Sequence, residues 1–217
     1  MDVIIYIILF IISINLIACL IHYNKQKELN EFELVRRKRF MKDYNFKIVI
    51  NLLFTSIIGS LIFYLTNFLI SKNLPNIVFD SIFILLINDT WFYWFHRIIH
   101  ENNYLRRNIH GEHHLSIKPL PLDYIYAHPF EILFGSIGMI LPLIIKNINI
   151  YAYLIAVTLR NIHEIEIHTN KNTKSIIPIF NPPIKHYIHH SVGKKCNYAS
   201  MFPFWDKIMG TEVLPTK

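Results

Sequence analysis

With 217 residues, 53% of them hydrophobic and only 17% charged, the chain has room for one domain and lies outside the composition of ordinary soluble proteins. Its net charge of +7 falls in loops between apolar runs and forms no basic stripe interleaved with aromatics, which excludes nucleic acid as a partner and implies a lipid bilayer. The two cysteines, Cys19 inside an apolar run and Cys196 near the end, make no paired framework and suit a reducing, cytosol-facing setting.

In chain order, residues 3–21 form a charge-free run of 19, long enough to cross a bilayer. No basic segment precedes the run and no small-x-small site follows it, so it reads as a retained anchor and not as a cleaved signal. Residues 25–47 carry Lys25, Lys27, Arg36, Arg37, Lys38, Arg39, Lys42 and Lys47, and basic loops stay cytoplasmic. A second charge-free span covers 48–70, a turn with Pro75 covers 71–76, and a third span covers 77–95. That third span holds Asp80, Asn88 and Asp89, and ionisable groups at membrane depth are functional candidates.

Residues 101–127, broken by Pro119 and Pro121, form a cap. Two short apolar runs, 130–145 and 148–159, make a transmembrane or re-entrant hairpin, and everything from Arg160 onward is too polar to span. The expectation is an all-α, multi-pass membrane protein with four to five membrane segments. Its N-terminus is lumenal, and its histidine-rich helical cap is cytosolic and holds a dinuclear metal site. Residues 1–76 are the anchor helices and basic loop, and 77–217 the catalytic domain.

The chemistry is concentrated in the histidines. Eight of the 12 fall in three short groups: His96 and His100; His110, His113 and His114; and His186, His189 and His190. The spacings i, i+4 and i, i+3, i+4 place each group on one helix face. Packing eight imidazoles together without a metal leaves ring nitrogens without partners in a poorly hydrated place. Imidazole alone does not choose between iron, zinc, copper and nickel, but eight ligands exceed the needs of one ion and suit two. Asp89 lies seven residues before His96 on the same face. It is the candidate catalytic carboxylate, either orienting a ligand imidazole or making a helix-packing hydrogen bond.

The ordered set D-T-W-F-Y-W-F-H-x-x-x-H, H-x-x-H-H and H-x-x-H-H over roughly residues 80–212 resembles the fatty acid hydroxylase and sterol desaturase superfamily. Two further segments, Y-A-H-P-F-E at 126–131 and N-Y-A-S-M-F-P-F-W-D-K-I-M-G-T at 197–211, are most similar to the C-4 methylsterol oxidases. The resemblance implies a di-iron site that oxidises an unactivated C–H bond of a lipid with O₂. Its ligands would be His96, His100, His110, His113, His114, His186, His189 and His190. His163 is the next ligand candidate, with His168 competing, because N-I-H-E-I-E-I-H stands where the family has an N-H-S-G-Y-like segment. His128 is a further ligand candidate or a group behind the ligands. Trp205 and Asp206 are expected to pack the cap in place.

No glycine-rich nucleotide motif and no H-P-G-G haem segment occur in the chain, so electrons are expected to come indirectly from NAD(P)H. The resemblance implies membrane cytochrome b5 and its reductase as the carrier, and the endoplasmic reticulum as the location. Sterol C-5 desaturase and fatty acyl or sphingolipid hydroxylase chemistry are the alternatives within the family. A membrane metal transporter is the alternative class, for which histidines and Asp80 or Asp89 would have to line a path through the spans.

Overall fold

The computed structural model describes residues 2–66, 70–71, 76–169, 174–192 and 195–215, with side chains of the first helix described from Ser13 onward. The expected turn at 71–76 falls largely outside this set. Three helices lead into the family-like region: α1 (Asp2–Gln26), α2 (Glu31–Phe40) and α3 (Tyr44–Thr66). The basic loop is therefore mostly helical. Asn30 caps α2 by accepting from the Glu33 amide at 2.9 Å while the Glu33 carboxylate takes the Asn30 amide, and Arg37, Lys38 and Arg39 sit at the negative end of its dipole.

The central element is α4 (Ile77–Glu101). Among the described residues it is the one helix long and apolar enough to cross a membrane, whereas Tyr44–Gly59 and Pro129–Ile145 are shorter apolar helices. A short turn, α5 (Asn103–Leu105), runs into a π-helical turn (Arg106–His110), then 3₁₀ turns at His113–Leu115 and Pro121–Tyr124. The chain returns along α6 (Pro129–Ile145) and α7 (Ile150–Ile167), and ends in α8 (Pro183–Val192) and α9 (Phe204–Ile208). The only sheet among the described residues is a parallel pair, β1 (Ile70–Ser71) with β2 (Ile148–Asn149), Ile70 opposite Ile148.

Helix α6 packs closely on α4 because Gly138 lies there: a Cβ at that position would stand 3.0 Å from Asn88 Oδ1 and 3.1 Å from both the Asn88 carbonyl and the Trp91 ring. Ile84, Leu85, Met139, Leu143, Ala152 and Ala156 fill the α4, α6 and α7 interface. A second core joins α1 and α3 to the loop after the second histidine group, through Ile14, Ala18, Ile48, Leu122 and Tyr126.

The fold differs from the expectation in two places. The second apolar run does not end its helix at residue 159, since α7 continues to Ile167. The polar residues it adds face partners: Glu164 accepts from Ser200 Oγ at 2.7 Å, and Glu166 accepts from Ser175 Oγ and the Ile176 amide. Neither H-x-x-H-H group serves a single cluster either: His113, at the 3₁₀ turn, and His189, on the regular helix α8, each part from the other two members of their group.

Candidate metal centre

Helix α4 delivers His96 and His100 one turn apart at its C-terminal end, both buried. The π-helical turn brings His110 against them, with Nε2 of His110 standing 3.1 Å from His96 Nε2 and 2.9 Å from His114 Nε2. His189 of α8 completes this group of five. The second group holds His113, His168, His186 and His190, with His168 Nε2 at 3.0 Å from His186 Nε2. Within each group the ligand nitrogens all lie within 4.8 Å of one another.

The two H-x-x-H-H segments follow one rule. Residues i and i+4 share a group, as His110 with His114 and His186 with His190, while residue i+3 crosses to the other group, as His113 and His189 do. Around a helical turn residues i+3 and i+4 fall on opposite sides of residue i, so one can share its group while the other reaches across. Each segment thus contributes to both groups and holds them side by side, with the His114 and His190 rings stacked at 4.5 Å.

Hydrogen bonding fixes which nitrogen is free in six of the nine rings. A carbonyl only accepts, so an Nδ1 bonded to one must carry the proton and leave its lone pair on Nε2. His96 donates from Nδ1 to the Tyr198 carbonyl at 2.8 Å, His189 to Cys196 at 2.7 Å, His190 to Ser116 at 2.9 Å, His113 to Tyr126 at 3.2 Å and His168 to Glu164 at 2.7 Å. His110 donates to the Glu131 carboxylate at 2.8 Å. The Nε2 lone pairs of His96 and His110 therefore face each other, and those of His189 and His190 are buried with no protein partner.

Facing lone pairs repel unless a cation stands between them. Two nitrogens each about 2.1 Å from one ion stand roughly 3 to 4 Å apart, which is where these are. The donor set fits two transition-metal ions.

The electrostatics agree. Burial, followed by positive charge on neighbouring imidazoles, holds His110, His114, His186 and His190 well below their ordinary range, and pushes His189 down to about 3. Neutral imidazole is the form that ligates a metal.

The remaining candidates fall elsewhere. His168, at the C-terminus of α7, enters the second group, while His163 stands outside both groups. His163 donates from Nε2 to the Ser200 carbonyl at 3.0 Å and has Glu166 3.5 Å from its Nδ1, so its free nitrogen points at a carboxylate. His128 caps α6, its Nδ1 accepting from the Phe130 amide at 3.2 Å. Asp89 touches no histidine ring directly: its carboxylate takes the Met201 amide at 2.7 Å and the Phe202 amide at 3.4 Å. It ties α4 to the C-terminal segment, which is the packing alternative and not the orienting one.

Sequence reasoning missed the acceptors behind the ligands. Glu131 was visible within Y-A-H-P-F-E without a role, and backbone carbonyls carry no residue signature at all.

Residues 81–211 match the fatty acid hydroxylase family, and the chain belongs to that family. Among curated proteins it is similar to methylsterol monooxygenase 1 of Rattus norvegicus, 32% identical over 134 residues covering 59% of this chain and 44% of that protein. It is also similar to methylsterol monooxygenase erg25A of Aspergillus fumigatus, 34% identical over 152 residues, 66% of this chain and 50% of that one. The very-long-chain aldehyde decarbonylase GL1-11 of Oryza sativa is 30% identical over 142 residues, 63% of this chain and 53% of that one. The chain spans about half the length of the curated relatives it matches. No solved structure matches it.

Proposed function

We propose that this chain is a membrane di-iron oxygenase that uses O₂ to oxidise an unactivated C–H bond of a sterol or related lipid, with a 4-methylsterol as the favoured substrate. The observation that carries the reading is the convergence of nine imidazoles in two adjacent groups, with six of the rings tied at Nδ1 so that Nε2 faces inward. His96, His100, His110, His114 and His189 would hold one ion, and His113, His168, His186 and His190 the other. Two iron ions would supply the O₂-derived oxidant that no side chain can provide. The chain's own residues hold the ligand rings neutral and oriented, and bury them away from bulk water.

Four to five segments in the membrane and a cytosolic metal centre are read from the apolar runs and the basic loop at 25–47, and an endoplasmic reticulum location from the resemblance to the family. Residues 77–217 form the catalytic part and 1–76 the anchor. A basic cytosolic face suits an acidic electron carrier such as cytochrome b5 with its reductase. The relatives named methylsterol monooxygenase support the sterol reading, and the matching N-Y-A-S and Y-A-H-P-F-E segments lie in the site itself.

The test supplies the iron-loaded protein in nanodiscs with NADH, cytochrome b5, its reductase and ¹⁸O₂, and offers in parallel a 4-methylsterol, a sterol C-5 desaturase substrate, a sphingolipid and a very-long-chain aldehyde. Labelled oxygen on the C-4 methyl carbon is the expected product. Turnover of only one of the other three overturns the substrate, and turnover without O₂ overturns the chemistry.

A further inference from the structure

In each histidine group one acceptor traces back to its own buried carboxylate, while His110, His113 and His168 are held separately by Glu131, Tyr126 and Glu164. For the five-histidine group the route runs through residues 196–201. His189 and His96 donate to the Cys196 and Tyr198 carbonyls, and His163, although not a ligand, donates to the next alternate carbonyl, Ser200. Asn197, at φ 51°, takes the left-handed conformation that asparagine tolerates and clamps the segment to Val213 in both directions.

Asp206, fully buried, accepts from the Tyr198 amide at 2.9 Å, the Ala199 amide at 3.0 Å and Thr211 Oγ1 at 2.7 Å. The Ala199 amide belongs to the same peptide unit as the Tyr198 carbonyl. A carboxylate at the N–H edge of that peptide and His96 at its C=O edge leave it one orientation.

For the four-histidine group the route runs through Ser116, whose carbonyl takes His190. Asp123, also fully buried, accepts from Ser116 Oγ, from the Leu120 amide at 2.8 Å, from Tyr44 OH at 2.6 Å and from both Nη atoms of Arg37 at 2.8 Å. Arg36 donates to the neighbouring Leu115 carbonyl at 3.1 Å. Arg36, Arg37 and Tyr44 lie outside the family match at 81–211. The anchor region therefore reaches into the metal centre, and the basic segment has a task besides topology.

We infer that each metal position has a main anchor of its own, with Asp206 the positioning residue of the five-histidine group through the Tyr198–Ala199 peptide, and Asp123 with Arg37 and Tyr44 that of the four-histidine group through Ser116; Glu164, whose carbonyl takes His168 and whose carboxylate takes Ser200 Oγ, joins the two supports. The inference rests on the two-ion reading of the centre. Groups that orient ligand imidazoles are typically worth about 10- to 100-fold in metal affinity, so loss of one anchor empties one position before the other.

The test reconstitutes the full chain with ⁵⁷Fe²⁺ in detergent, follows iron content and chelator competition, and reads the oxidised form by Mössbauer and electron paramagnetic resonance spectroscopy. Wild type should bind two ions with a spin-coupled signature. Asp206→Asn and Asp123→Asn should each bind one, giving an isolated high-spin ferric signal. Adding His168→Ala to Asp206→Asn should remove the remaining ion, and adding it to Asp123→Asn should not. Asp80→Asn, a buried carboxylate remote from both groups, controls for destabilisation and should keep two.

Where an Asn variant fails to fold, Thr211→Val and Tyr44→Phe each remove one bond to the respective carboxylate and should weaken one ion by about tenfold. Anchor variants that keep two ions at wild-type affinity overturn the inference, as does loss of both ions together from either variant. Wild type that binds other than two ions fails the two-ion reading itself.

Discussion

The two ends of α4 both bury ionisable groups, and they treat them in opposite ways. At the N-terminal end Asp80 is satisfied locally, by Lys146 at 2.6 Å and the Asn149 amide at 2.9 Å, and this knot fixes the turn between α6 and α7 beside the β1–β2 pair. At the C-terminal end His96 and His110 are satisfied at Nδ1 only and their Nε2 atoms face each other, while Nε2 of His100 is buried with no hydrogen-bond partner. A polar cluster whose bonds close on themselves is a structural fastening, while one whose lone pairs converge is waiting for a cation. The contrast also weakens the transporter alternative, since Asp80 and Asp89 are both engaged in packing bonds and the histidines crowd one end of the helix.

The largest effect should come from breaking that contrast directly. His100→Ala combined with His186→Ala takes one ligand from each group and should reduce bound iron to near zero and abolish turnover. Lys146→Met, at the opposite end, should leave iron content unchanged. It should lower the unfolding free energy by about 1–3 kcal/mol, because Asp80 loses its main partner. Metal analysis beside thermal unfolding separates the two outcomes, and iron loss in Lys146→Met would erase the distinction.

A smaller effect separates two histidines five residues apart on α7 and its cap. His168→Ala should halve the iron content, while His163→Ala should keep both ions and lose only its bond to Ser200. The reverse result would return His163 to the ligand set.

The smallest effect is on pH. His189 titrates near 3 in the folded, metal-free chain and near 6.5 when free. Its folded value is depressed, so below 6.5 the unfolded state binds the extra proton. Stability is fully present above pH 6.5 and falls as the pH drops toward 3. The metal-free protein should therefore melt at progressively lower temperature from pH 7 to pH 5. Iron-loaded protein should resist this until the ligands protonate and release the ions. A melting temperature of the metal-free form that is flat over that window would mean that the imidazoles are hydrated.

Much of the centre was legible in sequence. The eight histidines in three groups all enter one or other cluster. What spacing could not show was their division. The same split occurs in the π-helical and 3₁₀ turns that carry His110, His113 and His114 and in the regular helix α8, so it depends on which other rings the fold brings to either side of each segment. That His168 and not His163 joins a histidine group was equally hidden, because it depends on α7 running past its apolar stretch, which Ser200, Ser175 and Ile176 permit by satisfying Glu164 and Glu166.

By itself the sequence determined the apolar segments, the polar cap, the ligand types and the family, because hydrophobic run length, charge placement and i, i+4 spacing are local properties of the chain. Tertiary structure alone decided how the histidines divide between two groups and which nitrogen six of their nine rings turn inward. It also decided that Asp89, Asp123 and Asp206 serve backbone amides and neighbouring side chains. The reason is physical: a ring's tautomer and a peptide's orientation are set by acceptors 4 to 112 residues away, and no local pattern records a hydrogen bond to a backbone carbonyl.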